Sequence, residues 1–432
     1  MADGIQIAFK LQYQMESPQK FSYEMKKVLK CYYDLDVSPC SFDFFHFLMA
    51  AELNRIHRKC DEIALIFVSG ANCGYRNDRI RTHEQNDMFF KNVLWQGPHL
   101  LESCKSILWI DRESEIINFD KDSDLIFPRG YRLEAPNQNL DYAALGIVTA
   151  FVRREKPAFL VAPNYARGFV KQFLENFSKK KIITLTTREL SREENGTRTI
   201  NFREWEKFFD SLNKDQYQVL VIRDTSSAFL PNKLFEDIPE INVASTHLHF
   251  RMALYDSAFL NFFKNNGPLA PAFYSKANCV WFNEFDDDIC ALSRAWYETN
   301  YGMNEGSSFP MTTKNKILFW GKENQSRIAS CIDKMNDIYN SGESLSLNHF
   351  SSHKNLSYSI NASIRYTFFN IRHGALPEDI ALFQLLRVMV SKGHIQMDDP
   401  LKMLAESKEL QIPNETLNQI ANFDRMQSGS AF

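Results

Sequence analysis

An arginine set just beyond a buried strand can hold phosphate oxygens with its planar, two-pronged donor fork. The run Ile182-Ile183-Thr184-Leu185-Thr186-Thr187-Arg188-Glu189 offers one. In open α/β sheets ligands bind beyond the carboxyl ends of the strands, which is where Arg188 falls. An Arg188–Glu189 surface pair at a strand end is the alternative. A second run ends Val221-Ile222-Arg223-Asp224-Thr225. Asp224 can accept from a ribose hydroxyl or a base, although Asp and Thr are also common turn formers. The stretch Lys264-Asn265-Asn266-Gly267-Pro268-Leu269-Ala270 follows the helical pattern that carries Arg251. Gly267 lets a ligand approach the backbone, and Pro268 suits the first turn of a helix, whose free N–H groups attract anions. A plain link between two helices explains the same residues.

Earlier in the chain, Ser69-Gly70-Ala71-Asn72-Cys73-Gly74-Tyr75-Arg76-Asn77-Asp78 follows an apolar run. It lacks both the P-loop ending and the G-x-G-x-x-G spacing, so it reads as an acceptor-binding loop with Asn72, Tyr75 and Arg76 as contacts. In Tyr32-Tyr33-Asp34-Leu35-Asp36, Asp34 and Asp36 are candidate general bases, or else they stabilise a turn and cap a helix over Phe42–Ile56. Asp286-Asp287-Asp288 reads as a solvated acidic turn. His247 and His249 alternate like a strand end without a third ligand. The eight cysteines contain no C-x-x-C pair and no His at zinc-finger spacing, so no metal site is expected.

Elements that could position these residues are legible in the apolar pattern. Strands are expected at Val28–Tyr33, Ile63–Ser69, Ile107–Ile110, Ala158–Ala162, Ile182–Leu185, Val219–Ile222, Ile241–Val243 and Val280–Phe282. Short unbroken apolar runs suit parallel strands covered on both faces. Helical spacing links Tyr165, Phe169, Phe173 and Phe177, and also Phe202, Trp205 and Phe209, the second set opened by a capping-box-like Asn201 and Glu204. A third set joins Met252, Tyr255, Phe259, Phe262 and Phe263. Strand–helix–strand alternation predicts an α/β chain with two Rossmann-like, doubly wound domains. The charged break Ser178–Lys181 divides them into 1–178 and 179–340, with a loop and helical tail over 341–432, where Ile380, Phe383, Leu386 and Val390 mark a helix stopped by Gly393.

The 432 residues carry 50 Lys plus Arg against 53 Asp plus Glu, a net charge of -3, so no global basic field exists to grip nucleic acid. Gly (16) and Pro (15) together number fewer than Phe (36), which excludes collagen-like and low-complexity chains. Residues 1–17 lack the form of a signal peptide, and no apolar run approaches the ~20 residues of a membrane span. A reduced, cytoplasmic protein is the expectation.

The order of Ile182–Glu189, the Trp205 helix, Val219–Thr225, the Arg251 helix and the Asn266-Gly267-Pro268 loop resembles the donor half of GT-B glycosyltransferases. More narrowly it is similar to bacterial surface-polysaccharide and fucosyltransferase-like enzymes, to which Phe127-Pro128-x-x-Tyr131 with Pro136 adds a further likeness. The resemblance covers roughly Val28 to Trp320. It implies that Arg188 meets the diphosphate of a nucleotide sugar and that Gly267 lies in the loop cradling the nucleotide. Glu189, Asp224, Arg251, Asn266 and Pro268 complete the expected donor site. The implied partners are a nucleotide-sugar donor and a glycan or lipid-linked acceptor, with peripheral membrane association. No cofactor is implied beyond the donor, and no metal, so activity should survive chelation. The glycine-rich donor loop and the acidic pair of retaining enzymes are both absent. A non-catalytic sugar- or nucleotide-binding scaffold and a nucleotide-sugar epimerase are alternatives on the same architecture.

Overall fold

The computed structural model describes residues 26–77, 81–112, 125–128, 131–134, 136, 159–177, 179–189, 196–288, 292–295, 297, 305–306 and 312–346. The expected helix ending at Gly393 and the segment 1–17 lie outside them. The chain is α/β, built on two separate parallel sheets. The first contains β1 (Val28–Asp34), β2 (Glu62–Val68), β3 (Cys104–Ile110) and β4 (Ile126–Phe127) in the order β3-β2-β1-β4. The second contains β5 (Lys181–Thr186), β6 (Tyr217–Ile222), β7 (Leu260–Lys264), β8 (Cys279–Asn283) and β9 (Lys316–Trp320) in the order β6-β5-β7-β8-β9. Every pairing between these nine strands is parallel. Parallel neighbours cannot be joined by a tight turn, so helices fill the crossovers.

Helix α1 (Phe44–His57) returns the chain from β1 to β2 and buries Phe44, Phe45, Phe47 and Leu48. Helix α2 (His83–Phe89) is capped by the Thr82 hydroxyl, which accepts from Gln85 N. Helix α3 (Asn164–Glu175) buries Ala166 and Val170 in the core shared with the first sheet, and helix α4 (Phe202–Ser211) covers the second sheet, burying Trp205, Phe208 and Phe209. Two short helices, α5 (Asn242–Thr246) and α6 (Leu248–Ser257), lead into β7. The one-turn α7 (Leu269–Phe273) follows β7, and α8 (Gln325–Asn340) packs on α4.

Six of the eight expected strands form. Ala158 is outside the described residues, and 159–162 contributes only a bridge from Leu160 to Leu101. The run Ile241–Val243 turns into α5 after a single parallel bridge between Glu240 and Val221. The helix read through Phe262 and Phe263 ends at Ser257; Ala258 turns extended, and β7 takes over at the centre of the sheet. A strand buried along its whole length loses period-two alternation, and Asn261 and Lys264 interrupt its apolar run. Both are paired inside: Asn261 Nδ2 donates to Tyr255 O and Asn278 O, and Lys264 meets Glu323. Asn201 does not form the expected capping box. Its backbone N–H donates to Glu323 Oε2 at 2.9 Å, while Glu204 accepts from Gln325 N.

The two sheets share one apolar core that runs from Leu29 and Phe47 in the first to Met252, Phe263 and Trp281 in the second. Helix α3, which precedes the charged segment at 179–181, packs along α6 of the second sheet's layer.

Candidate functional site

In the second sheet the chain moves from β5 outward to β6 and then returns to the far side of β5 for β7, β8 and β9. The crevice at such a reversal, beyond the carboxyl ends of β5 and β7, is where doubly wound sheets bind ligands. Beyond β5 come Thr187, Arg188 and Glu189, and beyond β7 come Asn265, Asn266 and Gly267. Asn266 stitches the two ends together, its Nδ2 donating to Thr186 O at 3.3 Å. Its Oδ1 is buried without a hydrogen-bond partner.

Arg188 is half-buried at this crevice. Burial first, then the neighbouring Arg198 guanidinium and more weakly Arg81, push it down to about 10, while Asp224 opposes them. It therefore remains cationic at neutral pH. Arg198, also lowered chiefly by burial, donates Nε and Nη2 to Asn265 O, both at 3.3 Å, and lies near Asp43, Tyr297 and Asp224. Arg81 comes from the other sheet's loops. It hangs on Cys40 O, and its guanidinium carbon lies 4.1 Å from the Phe89 ring centroid. Arg76 and Arg81 both face the Cys40 thiol, whose burial nevertheless pushes it up to about 12.

The first sheet meets the second at this point through Phe42. A Cβ added at Gly267 would lie 2.7 Å from Phe42 Cδ2, so the missing side chain serves the packing of the two units. Pro268 is the N-cap of the five-residue α7. The buried Arg251 sits 5.7 Å from the Phe42 ring and donates to Ala244 O and Ser245 O at 2.6 and 3.0 Å, leaving Nη1 without a partner.

The remaining expected site residues divide by what holds them. Glu189 does not pair with Arg188: its carboxylate takes the fork of the buried Arg223, with Nε to Oε1 at 3.0 Å. Its backbone N–H donates to Asp224 Oδ2 at 2.7 Å, and burial raises the Asp224 carboxyl. Asp34 is fully enclosed, receiving Arg112, the Tyr131 hydroxyl and Asp36 N. Such a carboxylate organises the end of β1 and has no lone pair facing an acceptor. Asp36 is half-buried and accepts from Ala71 N at 2.8 Å. The expected acceptor loop is a tight hairpin in which Cys73 and Gly74 have φ of 49° and 89°. A Cβ at Gly70 would lie 2.5 Å from the Tyr75 carbonyl carbon, so both glycines of the loop answer to backbone geometry. Asn72 is exposed at its tip, while the Tyr75 hydroxyl is spent on Asp87 at 2.8 Å. The 286–288 turn is internally tied, with Asp286 accepting from Thr197 and Asp287 from Arg294. Among the described residues no group of three or more His, Cys, Asp or Glu could hold a metal ion.

Arg81, Arg198 and Asp43 escaped the sequence reading. The available signal was the density of arginine in the loops after β2 and β5, but only the fold brings those loops together. Guanidinium groups gathered in a partly desolvated crevice repel one another, and a bound polyanion relieves that cost.

No protein-family model matches the chain, and no curated protein matches it. Among solved structures it is similar to a glycosyl transferase family 9 protein from Veillonella parvula, with 9% identity over 74% of this chain and 97% of that one, at a TM-score of 0.40. The E. coli heptosyltransferase WaaC with ADP gives 10% identity over 73% of this chain and 99% of that one, at 0.32. The wall teichoic acid polymerase TagF gives 10% identity over 80% and 89%, at 0.29.

Proposed function

We propose that the chain is a glycosyltransferase of the GT-B kind, moving a sugar from a nucleotide-diphosphate donor to a glycan or lipid-linked acceptor in surface polysaccharide synthesis. The observation that carries this is the gathering of Arg188, Arg198 and Arg81 beside the topological switch point of the second sheet, where loops of the first sheet close over it. In the reaction an acceptor oxygen bonds the anomeric carbon as the bond from that carbon to the diphosphate breaks. The leaving diphosphate gains negative charge, which fixed guanidinium groups stabilise. Arg188 and Arg198 take that role. The acceptor hydroxyl must lose its proton, and Asp43 is the best-placed base, with Asp36 behind it. Asp43 is exposed at the start of α1 and close to Arg198, and its Oδ2 accepts from Ser41 Oγ at 2.8 Å. The enzyme works on the cytoplasmic side of a membrane, where a lipid-linked acceptor is within reach.

Thermal-shift screening of nucleotide sugars tests the reading first, followed by assays of sugar-nucleotide hydrolysis and transfer. Stabilisation by one donor with release of its nucleoside diphosphate is the expected result. Binding without any turnover would assign the chain to the scaffold class instead. Activity should persist in EDTA; loss in chelator with recovery on manganese or magnesium would count against leaving-group stabilisation by arginine alone.

A further inference from the structure

Away from the arginine crevice, the first sheet presents two indole rings to solvent. Of the tryptophans among the described residues, Trp205 and Trp281 are buried and Trp320 is half-buried. Trp95 and Trp109 are 38% and 40% exposed. Trp109 lies on β3, the edge strand of the sheet, and Trp95 follows the helical turn Phe90–Leu94. Both rest on one buried ring: the Phe90 centroid is 5.9 Å from that of Trp95 and 5.0 Å from that of Trp109. Phe67 also supports Trp95, at 6.1 Å. The core therefore fixes the two indoles in place while part of each stays in water. Apolar surface held in water is unfavourable, and two such rings on one support mark a binding face.

This platform continues from the first-sheet side of the crevice. Arg81, near Arg188, hangs on Cys40 O, and Tyr75 borders Cys40 with its ring 6.3 Å from Phe90. A Cβ built at Gly74 would meet Trp109 Cζ2 at 3.8 Å, so the hairpin that exposes Asn72 borders the second indole. Polar groups of both signs stand around the rings: the Asp87–Lys91 pair, with side chains 40% and 69% exposed, and Asp111 just beyond β3. A lipid surface would have to strip water from that ion pair, which is costly. A stable protein contact needs ~800 Å² on each partner, far more than two part-exposed rings provide. A sugar chain suits both features. A pyranose lays its C–H face on an aromatic ring, and the hydroxyls at its edge exchange hydrogen bonds with polar side chains around it.

Resting on the glycosyltransferase reading, we infer that Trp95 and Trp109 form a glycan platform that holds the distal sugars of an oligosaccharide acceptor. The end of that chain reaches the crevice, where its hydroxyl meets Asp43, and sugars further back lie on the two indoles. Rings already locked against Phe90 lose little freedom on binding, so the platform is preorganised. Two separate rings also make binding depend on the length of the chain.

Calorimetry with the full chain tests this, using cellohexaose, chitohexaose, maltohexaose and mannohexaose, each beside its disaccharide. One hexasaccharide is expected to bind, and its disaccharide to bind roughly tenfold more weakly, since it reaches a single indole. Trp95→Ala and Trp109→Ala should each erase that dependence on length. Trp95→Phe and Trp109→Phe keep a ring on Phe90 and should retain part of it, a pattern that loss of folding does not imitate. A hexasaccharide that binds the parent and both Ala variants equally would overturn the inference, as would failure of all four. Loss of phosphatidylglycerol-vesicle binding in the Ala variants, with no glycan bound, would overturn it in favour of a membrane contact. Glycan binding that needs both indoles, in a chain that hydrolyses no nucleotide sugar, would retire the glycosyltransferase reading and leave the platform standing. Sugar transfer without glycan binding at the indoles would do the reverse.

Discussion

Three aspartates near the first sheet's carboxyl edge show why residue type is a poor guide to chemistry. Asp34, Asp36 and Asp43 lie within ten positions and all belong to a strand end or helix start. Only the fold distinguishes them. Asp34 is sealed between Arg112 and Tyr131, Asp36 holds Ala71, and Asp43 stands exposed beside Arg198. Their substitutions should separate accordingly. Asp34→Ala strands a charge and a hydroxyl that were paired inside, and breaking a buried pair costs roughly 3–5 kcal/mol. Arg112 retains 20% side-chain exposure, which places the expected loss near the lower end, about 3 kcal/mol, measured by urea unfolding. Asp43→Asn should unfold like the parent and lose turnover by roughly 100-fold or more, the scale of a general base. Equal stability of the Asp34→Ala chain would show that its cage contributes nothing. Arg188→Ala should likewise fold normally and lose about 3–4 kcal/mol of transition-state stabilisation, with Arg188→Lys a partial rescue. The place of Arg188 at a strand end was legible because it follows an unmistakable strand. Arg81 and Arg198 were not, because nothing local says that their loops converge.

At the scale of elements, the sequence was most readable where apolar runs were short and unbroken, as in β2 and β6. It misled where burial was complete but polar groups were paired internally, as in β7, with Asn261 bonded to Thr184 and Lys264 to Glu323. Placing β7 correctly also changes the meaning of the loop after it. Gly267 leaves a central strand rather than a helix, and its missing side chain is required by Phe42. Overpacking of such a contact costs typically 1–3 kcal/mol, so Gly267→Ala should destabilise by about that amount. Phe42→Leu should relieve the crowding and give a double variant more stable than additivity predicts, a coupling that a double-mutant cycle in denaturant reads directly. Additive losses would mean that Gly267 matters for its backbone alone.

Among the described residues, two parallel sheets meet near their carboxyl edges, joined by packing and by a few polar links. Of the architecture, the two βα series were visible in sequence, whereas the joint between them was not, because it is made of residues far apart in the chain. His249 is part of that joint. Its Nε2–H donates to Gln96 O at 2.8 Å, and Nδ1 faces the Tyr165 hydroxyl. Both ring nitrogens are thus satisfied in the neutral form, and protonation would make Nδ1 a donor and oblige the Tyr165 hydroxyl to turn and accept, while placing a charge in a half-buried site. Burial first, against the opposing Gln96 bond and with the nearby His247 and His99 adding to it, lowers His249 to about 4 from 6.5. The sign follows from linkage: as pH falls, the unfolded chain takes up this proton before the folded one does. Stability contributed at this position is therefore full above pH 6.5, lost progressively below it, and gone by about pH 4. His46, hydrogen-bonded to Tyr274, and His247 are lowered in the same direction and steepen the same window. Denaturant unfolding of the parent should show a falling midpoint from pH 7 to pH 4.5, and His249→Gln, which can still donate to Gln96 O without titrating, should flatten part of that slope. A variant whose midpoint tracks the parent at every pH would remove His249 from the joint's acid response and leave it to His46 and His247.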